Sequence, residues 1–378
     1  MNPACSDFRA APLSAPLSAR IARAIAAAGG WLPFDSFMHL ALYAPGQGYY
    51  AGGAPTFGLR AGDGSDFVTA PELSPLFARA LAVQVAEALA VTGTDEVWEF
   101  GAGSGALAAG LLDELARLGR PVRRYTIVDV SGALRARQQQ RLAAHAGVVH
   151  WADALPDALR GALIGNEVLD AMPVKLLARI QGQWHERGVA LAAEGAPQPF
   201  VWQDRPSPLR PPLEVAGEHD YLTEIHPQAH AFIATVADAL LRGGAGAAFF
   251  IDYGFPEGEY YHPQRDSGTL VCHRAHRVDD NPLADVGEKD ITAHINFTGA
   301  ALAAQDAGLH VLGYASQAHF LLNCGLAALM QQADLPTRAN AMKLLAEHEM
   351  GELFKVLALG TQPWQPLGFA SGDRTHRL

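Results

Sequence analysis

Apolar residues along this chain follow two rhythms that take turns. In residues 18–28, "SARIARAIAAA", they recur every three to four positions, which predicts a helix. The same spacing predicts a helix over about 34–42 and a long one opened by Ser74-Pro75 and running to about Ala90. Beyond it, short apolar runs alternate with helical patterns. Residues 97–100 lead into a Gly-rich turn and a helix to about Leu118. "RRYTIVDVS" (123–131), "VVHWADAL" (148–155), "ALIGNEVLDAMPV" (162–174), "AAFFIDYGF" (247–255), "LHVLGYAS" and "LFKVLALG" then read as strands. Strands separated by helices at this spacing predict an α/β fold with a doubly wound, mostly parallel sheet.

Two stretches break the alternation. "TFGLRAGDGSDFVTAPELSPLF" is dense in Gly, Asp and Pro and reads as loop up to its last helical turn. Residues 174–224 switch to a period of two with Gly turns, followed by the Pro-rich "DRPSPLRPPLEV", so an antiparallel insertion is expected. The resulting organisation is an N-terminal helical or lid region (1–90), the first part of the sheet (91–175), the insertion (176–226), and the second part with helical additions (227–378).

Composition removes several classes. The chain has 378 residues, 49% of them hydrophobic and 18% charged, which is globular. Its 28 basic and 39 acidic residues give a net charge of −11, the wrong sign for gripping a phosphate backbone, so bulk nucleic-acid binding is disfavoured, a local basic patch aside. Three scattered cysteines, Cys5, Cys272 and Cys324, make neither a disulfide framework nor a zinc knuckle. "CHRAH" (272–276) lacks the usual ligand spacings, and no metal is expected. No run approaches the roughly 18 apolar residues of a membrane span. The Ala/Ser/Arg-rich N-terminus has the composition of a transit peptide, but the same bias recurs throughout. A cytoplasmic protein with a frayed start of about 15 residues is therefore the expectation, ahead of mitochondrial import.

The chemistry concentrates at "VWEFGAGSGALAAGLLDEL" (97–115), where Gly101, Gly103 and Gly105 alternate. Three loops fit such a run: a dinucleotide loop, a hydrolase elbow, or the loop of an S-adenosylmethionine enzyme. An elbow needs Gly two residues either side of Ser104, where Ala102 and Ala106 stand. A dinucleotide loop fits through Gly101, Gly103 and Ala106, with Asp129 at a tolerable distance. Acids at successive strand ends help to decide. Glu99 precedes the turn, Asp129 ends the second strand, Asp153 ends the third, and Asn166, Glu167 and Asp170 follow the fourth. In a doubly wound sheet these ends border the ligand crevice. A single nucleoside with a zwitterionic tail suits the row, with Asp129 on two ribose hydroxyls and Asp153 on the adenine amino group.

"EFGAGSG", "YTIVDVSGALRARQQQRL", "GNEVLDAMPV", "FIDYGF" and "DITAHINF", with "FMHLALYAPGQGYY" and "DFVTAPELSPLF" before them, together resemble the MidA-like family of class I methyltransferases. The resemblance runs over about residues 21–360. It implies a seven-stranded class I methyltransferase (Rossmann-like) sheet and S-adenosyl-L-methionine as donor. Donor contacts are then implied at Glu99, Phe100, Gly101, Ala102, Gly103, Gly105, Asp129, Val130, Asp153, Ala154 and Asn166. An N-terminal lid at Phe67, Thr69, Pro71 and Glu72, with Tyr43 and Tyr50 nearby, would add further contacts at Thr69 and Pro71. The acid of the second strand, usually Glu in that family, is Asp129 here, which keeps the charge and shortens the reach. The family includes a mitochondrial factor that methylates an arginine of a respiratory complex I subunit. The resemblance thus implies a protein substrate, such as a complex I subunit, and is compatible with a homodimer.

For such an acceptor the expected catalytic residues are Asn166, Glu167 and Asp170: carboxylates hold the planar guanidinium fork and draw its charge from the attacking nitrogen. If the run after Asn166 turns helical, Glu167 and Asp170 share a face. The bland alternative makes Glu167 a helix-starting acid and Asp170 a cap. Two other functions stay open: a donor-binding assembly factor with little catalysis, and a nicotinamide-dependent oxidoreductase.

Overall fold

The computed structural model describes residues 16–52, 69–129, 131–274 and 277–378. In chain order its elements begin with α1 (Leu17–Ala27), β1 (Leu32–Pro33), α2 (Phe34–Tyr43), α3 (Ala70–Leu73) and α4 (Pro75–Thr92). Then come β2 (Glu96–Phe100), α5 (Ala106–Arg117), β3 (Arg124–Val128), α6 (Gly132–Arg141), β4 (Val149–Ala152) and β5 (Gly161–Asn166). The insertion supplies β6 (Lys175–Ile180), β7 (Gln183–Leu191), β8 (Phe200–Pro206) and β9 (Tyr221–Ile225). After it follow α7 (Pro227–Gly243), β10 (Gly246–Phe255), α8 (Glu257–Tyr260), β11 (Val271–Arg274), β12 (Arg277–Asp279), β13 (Asp290–Thr292) and β14 (Ile295–Asn296). The chain closes with α9 (Phe297–Asp306), β15 (His310–Ser316), α10 (Gln317–Asn323), α11 (Leu326–Gln332), α12 (Leu335–Leu345) and β16 (Phe354–Gly360).

The central sheet runs β15-β16-β10-β5-β2-β3-β4, with β14 paired to β10 off this path. Strands β10, β5, β2, β3 and β4 are mutually parallel, and β16 runs antiparallel to both β10 and β15. The doubly wound, seven-stranded α/β sheet expected from the sequence is therefore present. Chain order leaves β2 toward β3 and β4 on one side and resumes at β5 and β10 on the other. The reversal falls between β2 and β5, and a crevice at a doubly wound sheet's strand ends opens at such a point.

One face of the sheet buries Val97, Ile127, Ile164 and Phe249 against α4 and α5. The other buries Trp98, Leu163, Phe250 and Leu357 against α7 and α9. Alternation along β2 and β5 thus serves two apolar layers, which is why these runs are near-continuously hydrophobic. Helix α4 begins as expected at Ser74, whose Oγ accepts from the Leu76 N–H. Contrary to the expectation that no run comes near a membrane span, α4 is long and apolar enough by length and composition; 61% of it is buried in this core.

The insertion forms its own antiparallel sheet, β1-β7-β6-β9 with β8 on β7. Its partner β1 comes from the N-terminal region, and α1 and α2 pack on it through Ile21, Ile25, Phe34 and Phe37 against Leu176, Val189 and Phe200. Two local readings change. The N-terminal helix, expected from Ser18 as a capped helix, begins at Leu17 after Pro16 and has no side-chain cap. Of the stretch expected as loop, residues 56–68 lie outside the described residues, and Ala70–Leu73 form the short helix α3 before α4.

Candidate functional site

A cavity of about 420 Å³ lies at the C-terminal ends of β2, β3, β4 and β5. Its wall contains Glu99, Phe100, Gly101, Ala102, Gly103, Asp129, Asp153, Ala154, Asn166, Glu167, Thr69 and Pro71 from the expected set, with Tyr43, Tyr50, Glu72 and Ser104 beside them. Gly105 stands just behind, as the N-cap of α5. Asp170 is buried next to the wall, and Val130 and Phe67 lie outside the described residues.

The turn between β2 and α5 is built on left-handed backbone. Gly101, Gly103 and Gly105 have φ of 59°, 52° and 82°, a region that costs a side-chain-bearing L-residue roughly 1–2 kcal/mol. Three alternating glycines let this turn fold tightly and leave bare backbone facing the cavity.

Asp129 sits one residue beyond β3. Its Oδ1 accepts from the Ser131 N–H at 2.9 Å and its Oδ2 from Gln138 Nε2 at 2.8 Å. Gln138 on α6, fully buried, also donates to the Gly103 carbonyl at 3.0 Å and accepts from Trp151 Nε1 at 2.9 Å. One amide therefore ties the glycine turn to the β3 acid and to β4. Sequence reasoning passed over Gln138, because one glutamine in "RQQQRL" carries no pattern of its own. Burial raises the Asp129 pKa, and the hydrogen bonds from Ser131 and Gln138 oppose the rise. Each carboxylate oxygen still has accepting capacity toward the cavity.

Glu99 is buried in β2, where the Tyr125 hydroxyl donates to its Oε2 at 2.6 Å. Burial pushes its pKa up to about 7. Asp153 differs from expectation in its surroundings: its carboxylate is exposed at the mouth and ion-paired with Arg135. An adenine amino group there would share it with a guanidinium.

The chain beyond Asn166 does not turn helical. Glu167 takes a left-handed φ of 53°, and residues 168–174 make an irregular turn. Neither the shared helical face nor the alternative of a helix-starting Glu167 and a capping Asp170 describes it. What shapes the turn is Asp252, one residue beyond the point where Ile251 of β10 pairs with Asn166. Its Oδ2 accepts from the backbone N–H groups of Val168, Leu169 and Asp170 at 3.2, 2.9 and 3.3 Å, and its Oδ1 from that of Tyr253 at 2.9 Å. The Glu167 N–H donates to the Ile251 carbonyl at 2.9 Å. A non-glycine residue at positive φ costs about 1–3 kcal/mol and persists only where its surroundings over-determine it, as these bonds do here.

The turn gathers carboxylates. Burial, then Asp252, pushes the Glu167 pKa up to about 8, against hydrogen bonds from Asn166 and from the Ala70 N–H. Burial, then Asp252, Asp290 and Glu167, raises Asp170 well above its usual range. Asp252, raised by burial, is likewise pushed up to about 7. Asp290, on β13, accepts from the Tyr50 hydroxyl at 2.8 Å, and Tyr43 donates to the Ala171 carbonyl at 2.9 Å. The Tyr43 and Tyr50 rings stack at 5.6 Å and face the cavity. Asp252 and Asp290, which join this carboxylate group, were not singled out from the sequence, although "FIDYGF" places another acid in a strand of the central sheet. Asn166 Nδ2 donates to Glu167 at 3.0 Å, while its buried Oδ1 has no protein partner. A buried acceptor left open in a cavity wall calls for a donor from whatever fills the cavity.

Among the described residues no group of three or more His, Cys, Asp or Glu has metal-binding geometry, and Cys272 and Cys324 are buried free thiols.

Residues 80–315 match the model of a family described as "Putative S-adenosyl-L-methionine-dependent methyltransferase". A solved structure of a superfamily member from Burkholderia thailandensis, bound to S-adenosyl-homocysteine, is 50% identical and superposes with a TM-score of 0.91 over 96% of both chains. Among curated relatives, the zebrafish (Danio rerio) protein named mitochondrial protein arginine methyltransferase NDUFAF7 is 26% identical, across 88% of this chain and 84% of its own. Its human counterpart is 25% identical, across 87% and 80%.

Proposed function

Because the chain belongs to this family of S-adenosyl-L-methionine-dependent methyltransferases, we propose that it methylates a guanidinium nitrogen of a protein arginine. When bound, the donor would supply a methyl group on a sulfonium: the N–C bond to the guanidinium forms as the S–C bond breaks, S-adenosyl-homocysteine leaves, and the proton lost by that nitrogen would pass to the carboxylate of Glu167 or Asp170. The cavity fits that donor in kind: bare glycine backbone, an acid with free lone pairs at Asp129, and an unpartnered Asn166 Oδ1. In this reading Gly101, Ala102 and Gly103 run beneath the donor's tail. Asp129 holds the ribose hydroxyls, Asp153 and Ala154 border the adenine, and Glu99 offers its second oxygen to the ammonium.

One observation carries the acceptor. Glu167, Asp170, Asp252 and Asp290 converge beside the cavity, and the strongest charge effects on Glu167 and Asp170 come from other carboxylates. Buried acids that repel one another gain from a permanent cation, and a guanidinium stays charged at any physiological pH. Glu167 and Asp170 hold its fork, and the Tyr43–Tyr50 stack gives its flat face an aromatic surface. The names of the curated relatives support the same acceptor. A respiratory complex I subunit, methylated in a bacterial cytoplasm, is the target in this reading, which the Burkholderia source of the similar structure suits.

The test supplies donor carrying a labelled methyl to an extract that lacks the endogenous enzyme. Label is expected on arginine of a few proteins, read by mass spectrometry. Label on another residue type overturns the acceptor, and no label on any protein leaves a donor-binding assembly factor. Within the donor site, Asp129→Ala is expected to weaken S-adenosyl-homocysteine by about 1.5–3 kcal/mol, the scale of hydrogen bonds to a charged group. Calorimetric titration checks it, and unchanged affinity in a folded variant removes Asp129 from the ribose role.

A further inference from the structure

The geometry points to Glu72 as a positioning residue that latches α3 onto the glycine turn and so sets how long the donor stays bound. Helix α3 forms part of the cavity wall through Pro71 and Glu72, in the same cavity as Asp129 and Asp153. Glu72 Oε1 accepts from the Ser104 hydroxyl in the middle of the glycine turn and from Arg141 Nη1 of α6 at 2.8 Å. Arg141 Nη1 also donates to Ser104 Oγ at 2.7 Å, closing a three-way junction of α3, the turn and α6. The Glu72 side chain is only 13% exposed.

An ordinary surface ion pair is worth about 0–1 kcal/mol and holds little. This junction differs in what it joins. Ser104 belongs to the glycine turn, and α6 also carries Gln138, which grips both Gly103 and Asp129. At its other end, α3 offers the Ala70 N–H to the Glu167 carboxylate. This short helix therefore touches both the glycine turn, through Glu72, and Glu167, through the Ala70 N–H. A ligand lying against the glycine turn is then held longer while the Glu72 contacts stay made. The charge is essential to the arrangement, because a neutral amide in place of the carboxylate loses its pull on Arg141.

This inference rests on the donor-site reading above and not on the identity of the acceptor, so its test uses S-adenosyl-homocysteine alone. Dissociation is followed by surface plasmon resonance with the full chain immobilised. Glu72→Gln is expected to release the compound about tenfold faster, with an association rate within about twofold of the unaltered protein. Glu72→Asp, which keeps the charge on a shorter arm, should recover part of the difference, and Ser104→Ala should speed release in the same direction. A purely structural contact would lower the melting temperature of the ligand-free protein and leave the off-rate alone. That pattern, or off-rates within twofold of the unaltered protein in both Glu72→Gln and Ser104→Ala, overturns the latch. Label from the unaltered protein on a residue other than arginine in the extract assay, with the off-rate effect intact, would count against the acceptor only.

Discussion

Glu167→Gln is expected to lower methyl transfer about a hundredfold or more while leaving S-adenosyl-homocysteine affinity within about twofold. The amide keeps the shape of the carboxylate and removes the charge that would hold the acceptor's fork. A positioned acid–base or electrostatic group is typically worth two to three orders of magnitude. The pH dependence follows from the same group. Its pKa is pushed up to about 8, so below that value the acceptor-free enzyme carries Glu167 largely protonated. Transfer at low acceptor concentration should then rise with pH toward about 8 and level off, and this rise should vanish in the variant. The stability effect has the opposite sense. A carboxyl whose folded pKa is raised contributes stability fully present below its unfolded value, near 4.5, and lost as pH rises through about 8. Donor titration with a single-turnover transfer assay checks the assignment. Full activity in Glu167→Gln would sink it, and loss of donor binding would make Glu167 a donor residue.

Gly103→Val is expected to weaken donor binding at least a hundredfold in a protein that still folds. Gly103 sits at φ 52°, where a β-branched residue is a genuine outlier, and its carbonyl must also stay aligned to accept from Gln138. The valine methyl groups would also take up room in the cavity wall. Gly103→Ala carries the backbone strain with less bulk and should fall between the two. Circular dichroism establishes folding and calorimetry the affinity. Binding within about threefold of the unaltered protein in folded Gly103→Val would show that the donor does not lie on this turn.

Much of this was legible in the residue order. The strands of the central sheet stand out because buried parallel strands are continuous apolar runs, and the insertion stands out because its period changes to two. The glycine turn and the acids at the ends of β3, β4 and β5 were readable because the residue order marks where a strand stops. Asp129, Asp153, Asn166 and Glu167 all reach one cavity wall.

Contacts between distant segments were decided only by the folded chain. The pairing of β10 beside β5 brings Asp252 to the turn after Asn166, 86 residues earlier in the chain, and three backbone N–H groups point at it. No local rule predicts that turn, because its conformation is set by a carboxylate on another strand, and the helix expected there gives way to it. Asp290 and Tyr50 meet through the packing of the N-terminal region near β13, and Glu72 reaches Ser104 across 32 positions. Propensity and periodicity act over a few residues and therefore determined the elements. Electrostatics among buried groups depends on distances through space, so the carboxylate cluster and the latch exist only once the sheet has closed the separation between them.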